Sequence, residues 1–134
     1  MNSYYKKSYK RKINKNVYIE SLYVDLLDIH FEKSLTKGAG IMKEKYVEQK
    51  LVLEVKRRGG ICPKWTSPGT AGMPDRLVFL PDGKFGMVEV KAPGEKPRAL
   101  QLSRHRLLWA LGFRVYVLDD PARIGGILDE IQSS

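Results

Sequence analysis

Pro81-Asp82-Gly83 stands between two short runs of strand-forming residues, Asp75–Leu80 and Phe85–Lys91. A three-residue loop of this composition closes a β-hairpin, with Pro81 and Asp82 in a type I turn and Gly83 in the left-handed position. Loop length fixes register. Leu80 faces Lys84, and counting outward along both strands brings Asp75 opposite Glu89. Opposed residues share a face, with Cβ atoms roughly 5 Å apart. Lys91 projects from the same face as Glu89, while Val88 and Val90 point to the other. Two carboxylates at that spacing repel each other, and a divalent cation between them removes the conflict. A two-residue loop would put them on opposite faces, so the chemistry hangs on the turn.

The segments around the hairpin are equally well punctuated. Lys43–Arg58 reads as a helix stopped by Gly59-Gly60. Ile61–Trp65 is a short extended run, and Thr66–Pro74 a loop rich in Gly, Pro, Ser and Thr. Ala92–Pro97 is a second polar loop, and Arg98–Leu111 a helix ending at Gly112. Phe113–Leu118 reads as a strand and Ala122–Ile131 as a closing helix. The order is α-β-β-β-α-β-α. Its final strand, helix and strand call for a right-handed crossover and a parallel pair within a mixed sheet, an α/β class.

One acid sits where acids are uncommon. Val47, Leu51, Val52 and Val55 form the apolar stripe of the first helix, and Glu48 falls inside that arc. A carboxylate there is paired, protonated or bound to a metal. Either Glu48 meets an arginine or reaches solvent, or it completes the patch of Asp75, Glu89 and Lys91 if this helix covers that face. Such a set gathers hard oxygen ligands, suited to Mg²⁺ or Mn²⁺, beside one ammonium.

The chain has 134 residues, which fits one domain, and 43% hydrophobic content, enough for a core. No apolar run is long enough to span a membrane. One cysteine, Cys62, excludes an internal disulfide framework, and with two distant histidines it excludes a zinc finger. Cys62, His30 and His105 read as structural, and Trp65 and Trp109 as core. The formal net charge of +9 points to a polyanion, most simply nucleic acid. Residues 1–41 are set apart as a basic N-terminal extension. Six basic residues and no acid precede Asn16, a short apolar stretch covers Tyr18–Phe31, and Ser34–Gly40 reads as a linker. The extension is either a phosphate-binding arm or a solvated, disordered tail. It is also readable as translated leader before a start at Met42, since Lys37-Gly38-Ala39 can be encoded by a purine-rich run. Residues 42–134 carry 16 basic and 11 acidic side chains.

Gly72-Met73-Pro74-Asp75, 13 intervening residues and Glu89-Val90-Lys91 resemble the signature of the PD-(D/E)XK nucleases. The upstream helix with Glu48, the Ser67-Pro68-Gly69 loop and Gln101 resemble its VRR-NUC branch, the virus-type replication-repair nucleases. The likeness covers about residues 43–120 and leaves 1–41 without a counterpart. It implies a restriction-endonuclease-like αβββαβ core with a mixed sheet flanked by helices. It implies Mg²⁺-dependent hydrolysis of DNA phosphodiesters, with Mn²⁺ as a substitute and no small-molecule cofactor. By position, Asp75 and Glu89 resemble metal ligands with the Val90 carbonyl as a further one, Glu48 resembles the helix acid that contacts the metal directly or through water, and Lys91 resembles the catalytic lysine. Gln101 is then site-side, against its plain reading as a polar group at a helix edge. Lys64 and Arg76 are placed to meet phosphate, and the loop from Ser67 either presents N–H groups to phosphate or simply connects. A core this small suggests a homodimer acting on branched DNA such as a Holliday junction. The resemblance suggests phage or prophage origin and a cytoplasmic site of action in a bacterial host. An inactive DNA-binding or assembly module, or a nuclease acting on RNA, are the rival readings.

Overall fold

The computed structural model describes residues 40–134. The expectations for the N-terminal extension therefore lie outside the described residues, apart from Gly40, the last residue of the expected linker, which is helical. Helix α1 spans Gly40–Arg57, β1 Arg76–Leu80, β2 Lys84–Val90, α2 Ala99–Ala110, β3 Val115–Leu118 and α3 Ile124–Ser133. Strand order is β1-β2-β3, with β1 and β2 antiparallel and β2 and β3 parallel. The mixed sheet and its flanking helices follow the expected α/β order. Among the described residues no helix is long and apolar enough to cross a membrane.

The hairpin register is the one its loop length dictates: Leu80 pairs with Lys84 and Arg76 with Val88. The turn differs in detail. Pro81–Gly83 forms a tight helical turn in which Asp82, at φ 65°, adopts the left-handed region along with Gly83. A type I turn would keep Asp82 right-handed. Aspartate tolerates the left-handed region better than most residues, and the loop still contains three residues, so the pairing is unchanged.

The expected strand at Ile61–Trp65 is reduced to two isolated bridges, Ile61 to Phe79 and Lys64 to Arg76. Pro63 lies between them and has no N–H to donate, so the ladder is broken. Its carbonyl still accepts from the Leu77 amide at 3.1 Å. The segment thus remains hydrogen-bonded along the outer edge of β1.

The two faces of the sheet are covered unequally. On one, Val78, Leu80, Val88, Val90 and Leu118 pack with Val47, Leu51 and Val55 of α1 and with Ile124, Ile127, Leu128 and Ile131 of α3. On the other, Met87 and Val115 meet Leu108 of α2, with Trp65, Met73, Leu77 and Phe85 around them. Trp109 departs from its expected core position and is 45% exposed. The buried face of α2 is narrow, holding only His105 and Leu108. Trp109 lies beyond it, donating Nε1–H to the Val115 carbonyl at 2.9 Å and carrying Arg114 over its ring.

The chain's exit from α1 is sterically tight. Gly59 has φ +80°, and a Cβ on Gly60 would stand 2.2 Å from the Phe79 carbonyl oxygen. That oxygen accepts from the Ile61 amide, so it is not free to move aside. Gly60→Ala is expected to lower stability by about 1–3 kcal/mol in urea unfolding, the usual cost of overpacking. An unchanged midpoint would show that the 61–64 edge is not held as described.

Candidate active site

The site lies at the C-terminal end of β2. The odd-numbered residues Phe85, Met87 and Glu89 face α2, because Val88 and Val90 are committed to the larger core. Glu89 is 3% exposed. Its Oε1 lies 3.0 Å from Lys91 Nζ and also accepts from Gln101 Nε2. Its Oε2 is buried and has no partner among the described residues. An ionised oxygen is seldom left in that state unless something outside the chain satisfies it.

Asp75 stands one residue before β1 and continues the register toward Glu89. Its Oδ1 accepts from the Val90 amide at 3.1 Å, which ties the two strand ends together. Burial pushes the Asp75 carboxyl up to about 6, against the opposing pull of the Val90 N–H; the charges of Glu89, Glu48 and Glu44 add to the rise. Asp75, Glu89 and Lys91 therefore form the compact group that the hairpin geometry calls for. Val90 lies within it as the amide donor to Asp75.

Gln101 joins this group from the start of α2. Its Oε1 accepts from the Arg98 amide at 2.9 Å, while its Nε2 donates to Glu89. One amide thus closes the first turn of the helix and fixes a buried carboxylate. This geometry favours the site-side reading over that of a helix-edge group.

Glu48 takes a different position from the one expected. Helix α1 packs on the Val88 and Val90 face, opposite to Glu89. Arg76 also projects to the α1 side and donates to Glu48 Oε1 from Nε at 2.9 Å and from Nη2 at 2.6 Å. Its Nη1 donates to the Cys62 carbonyl at 2.9 Å. The expectation of Arg76 as a phosphate contact is corrected accordingly: its guanidinium is spent on clamping α1 and the 61–64 edge to β1. Glu48 meets the arginine that its place on an apolar stripe demands and acts on Asp75 through its charge. Among the described residues no three His, Cys, Asp or Glu side chains stand together at ligand spacing. Glu48 is held by Arg76 and does not stand beside the pair of Asp75 and Glu89 as a third direct ligand, which leaves the contact through water that the resemblance also allows.

That pair suits a small hard cation. Mg²⁺ is commonly held by one or two carboxylates and retains several waters, and the unpartnered Oε2 of Glu89 offers it a lone pair. Lys64 is 65% exposed, bridged to Arg76 at the edge of β1 and with Nζ 3.8 Å from Glu48 Oε1. Ser67 is half-buried in the loop before Asp75, its carbonyl accepting from the Thr70 amide at 3.2 Å. The loop is tied to α2 by Arg104, whose Nε donates to the Ala71 carbonyl at 3.2 Å. Lys96 and Arg98 are exposed on the connection that joins β2 to α2.

Cys62 is buried as expected, and desolvation pushes its thiol up to about 11, which disfavours the thiolate. His105 is buried on α2, as its structural reading expects. It is 6% exposed, its Nε2 has no partner among the described residues, and burial holds it below the ordinary histidine range. The charges of Glu89 and Lys91 both reach it, the first opposing that shift and the second adding to it.

The chain is similar to known proteins over part of its length. No family model matches the chain. A protein named "Putative nuclease p44", from Acyrthosiphon pisum secondary endosymbiont phage 1, is 54% identical over 79 residues, which is 59% of this chain and 85% of that protein. A solved structure described as "VRR_NUC domain" superposes with a TM-score of 0.61 at 30% identity, over 65% of this chain and 95% of that one.

Proposed function

The chain belongs to the VRR-NUC family, and from that premise we propose that it is a Mg²⁺-dependent DNA endonuclease acting on branched DNA. The observation that carries the reading is Glu89. It is a buried carboxylate facing Asp75 along the hairpin register, with Lys91 on one oxygen and, among the described residues, nothing on the other. A structural ion pair would use both oxygens or lie at the surface.

Asp75 and Glu89 would hold the ion, with the Val90 carbonyl at the same strand end as a further oxygen. Glu48 supports the site electrostatically from behind the sheet. When bound, a divalent ion supplies a Lewis acid for the phosphate and lowers the pKa of water. Lys91 orients the attacking water and offsets charge that builds on the phosphoryl oxygens. The water oxygen bonds to phosphorus, one phosphorus–oxygen ester bond breaks, and the leaving alkoxide takes up a proton. Gln101 keeps the Glu89 carboxylate in one orientation throughout. Lys64, Lys96 and Arg98 are exposed around the site and supply phosphate contacts, with the Ser67 loop beside them.

Selectivity for branched DNA is supported by size, since the described core leaves little surface for reading bases. A homodimer is supported by Leu100, Leu107, Leu111 and Phe113, large apolar side chains that remain exposed on and after α2. Two sites related by a twofold axis would nick both strands of a junction. The phage source of the relative fits action on DNA in the cytoplasm of a bacterial host.

A digestion panel tests this reading. Duplex, flap, four-way junction and RNA substrates are incubated with Mg²⁺, with Mn²⁺ or with chelator, and the protein's mass in solution is measured alongside. The expected result is metal-dependent nicking, strongest on branched DNA, by a dimer. Binding is expected to weaken at least about tenfold between about 50 and about 200 mM salt. DNA binding without cleavage under every metal would support an inactive module instead. Preference for RNA would reassign the substrate, and full junction activity from a monomer would remove the dimer.

A further inference from the structure

His105 is the buried polar group that the cleavage chemistry above leaves unused. It follows Gln101 by four residues on α2 and so projects from the same face. Gln101 reaches Glu89, and Leu108 packs with Met87 and Val115. His105 therefore lies between the site and the small core, on the inner side of Glu89. Its Nε2 is buried without a partner among the described residues, and so is Oε2 of Glu89. The imidazole is close enough to Glu89 and Lys91 to feel both charges. An unpaired buried donor or acceptor costs about 1–3 kcal/mol. Here one nitrogen and one anionic oxygen are stranded on neighbouring elements, and a water placed between them would satisfy both. A histidine kept only for its volume would gain nothing from this placement.

We propose that His105 is a positioning residue of the site: its Nε2–H donates, across one buried water, to Oε2 of Glu89 and fixes the rotation of that carboxylate for a divalent ion. The proposal rests on the nuclease reading. Gln101 and Lys91 both restrain Oε1, so Oε2 is the oxygen that needs a second anchor. An oxygen that binds an ion through one lone pair still accepts a hydrogen bond through the other. Outer hydrogen bonds of this kind typically change metal affinity 10–100-fold.

The test is Mn²⁺ binding by the metal-free full chain without DNA, measured calorimetrically for the wild type, His105→Leu and His105→Gln. Leucine fills the space without a donor, while glutamine keeps an amide N–H near the position of Nε2. The expected result is affinity weakened about 10–100-fold in His105→Leu and largely recovered in His105→Gln. Wild-type affinity in His105→Leu overturns the role of His105 and leaves the nuclease reading standing. Absence of Mn²⁺ binding in the wild type removes both. Should His105→Leu fail to fold, the wild type decides through the ¹⁵N spectrum of its imidazole. The proton must reside on Nε2, and a neutral ring protonated on Nδ1 overturns the proposal.

Discussion

Replacing Asp75 by asparagine is expected to lower metal-dependent cleavage at least about 10³-fold while making the metal-free protein more stable at neutral pH. The two effects have one cause. Asp75 is half-buried and faces Glu89, with Glu48 and Glu44 near enough to add to the repulsion. A carboxyl raised from 3.8 to about 6 binds its proton more tightly in the folded chain than in the unfolded one. Its contribution to stability is fully present below the unfolded value and is lost as pH rises through about 6. Above that, the ionised group opposes folding. Asparagine retains an oxygen for the Val90 amide and has no charge. The melting temperature of Asp75→Asn should therefore exceed that of the wild type at about pH 8 and lose this advantage at about pH 4. A bound divalent ion reverses the sign by stabilising the carboxylate, and the proton competes with it, so wild-type cleavage should fade below about pH 6. An advantage independent of pH would show that Asp75 is not the strained group. Retained turnover would show that it does not hold the ion. Persisting DNA binding in this variant would separate lost chemistry from lost recognition.

The sequence carries the hairpin half of the site because strand periodicity leaves no freedom. Once Pro81-Asp82-Gly83 counts as three residues, Asp75, Glu89 and Lys91 share a face whatever the turn's dihedral angles, and Asp82 tests this by adopting an unexpected one. The helical half is less legible. A wheel shows that Glu48 lies on the buried side of α1 without showing which face of the sheet α1 covers. That choice is made by Val47, Leu51 and Val55 packing with α3 against Val88 and Val90, a contact between segments far apart in the chain. Arg76 follows from it: on the α1 side of β1 its nearest anion is Glu48, not a phosphate. Trp109 fails as a prediction for a related reason. Residue type alone gives tryptophan to the core. The narrow buried face of α2 leaves Trp109 exposed.

Lys91→Ala is expected to lower cleavage about 10²–10³-fold, the usual cost of losing one preorganised donor, and to reduce stability by about 3 kcal/mol. Lys91 is 14% exposed, and its ammonium is the charged partner of a carboxylate buried more deeply still. Removing it leaves Glu89 with Gln101 on one oxygen and no counter-charge. The Gln101 amide still holds one Glu89 oxygen, which keeps the penalty near the lower end of the range for a broken buried pair. A second substitution separates folding from chemistry. In Lys91→Ala combined with Glu89→Gln, no uncompensated charge remains, so stability should return most of the way while turnover stays at or below that of Lys91→Ala. Lys91→Arg should preserve the charge balance but place a planar guanidinium where a compact ammonium fits, restoring stability more than activity. Urea unfolding and single-turnover digestion of the three variants read the two quantities independently. Turnover in Lys91→Ala within tenfold of wild type would reduce the lysine to a structural counter-ion. Loss of stability in Lys91→Ala and Lys91→Arg alike would show that its shape, rather than its charge, holds this end of β2.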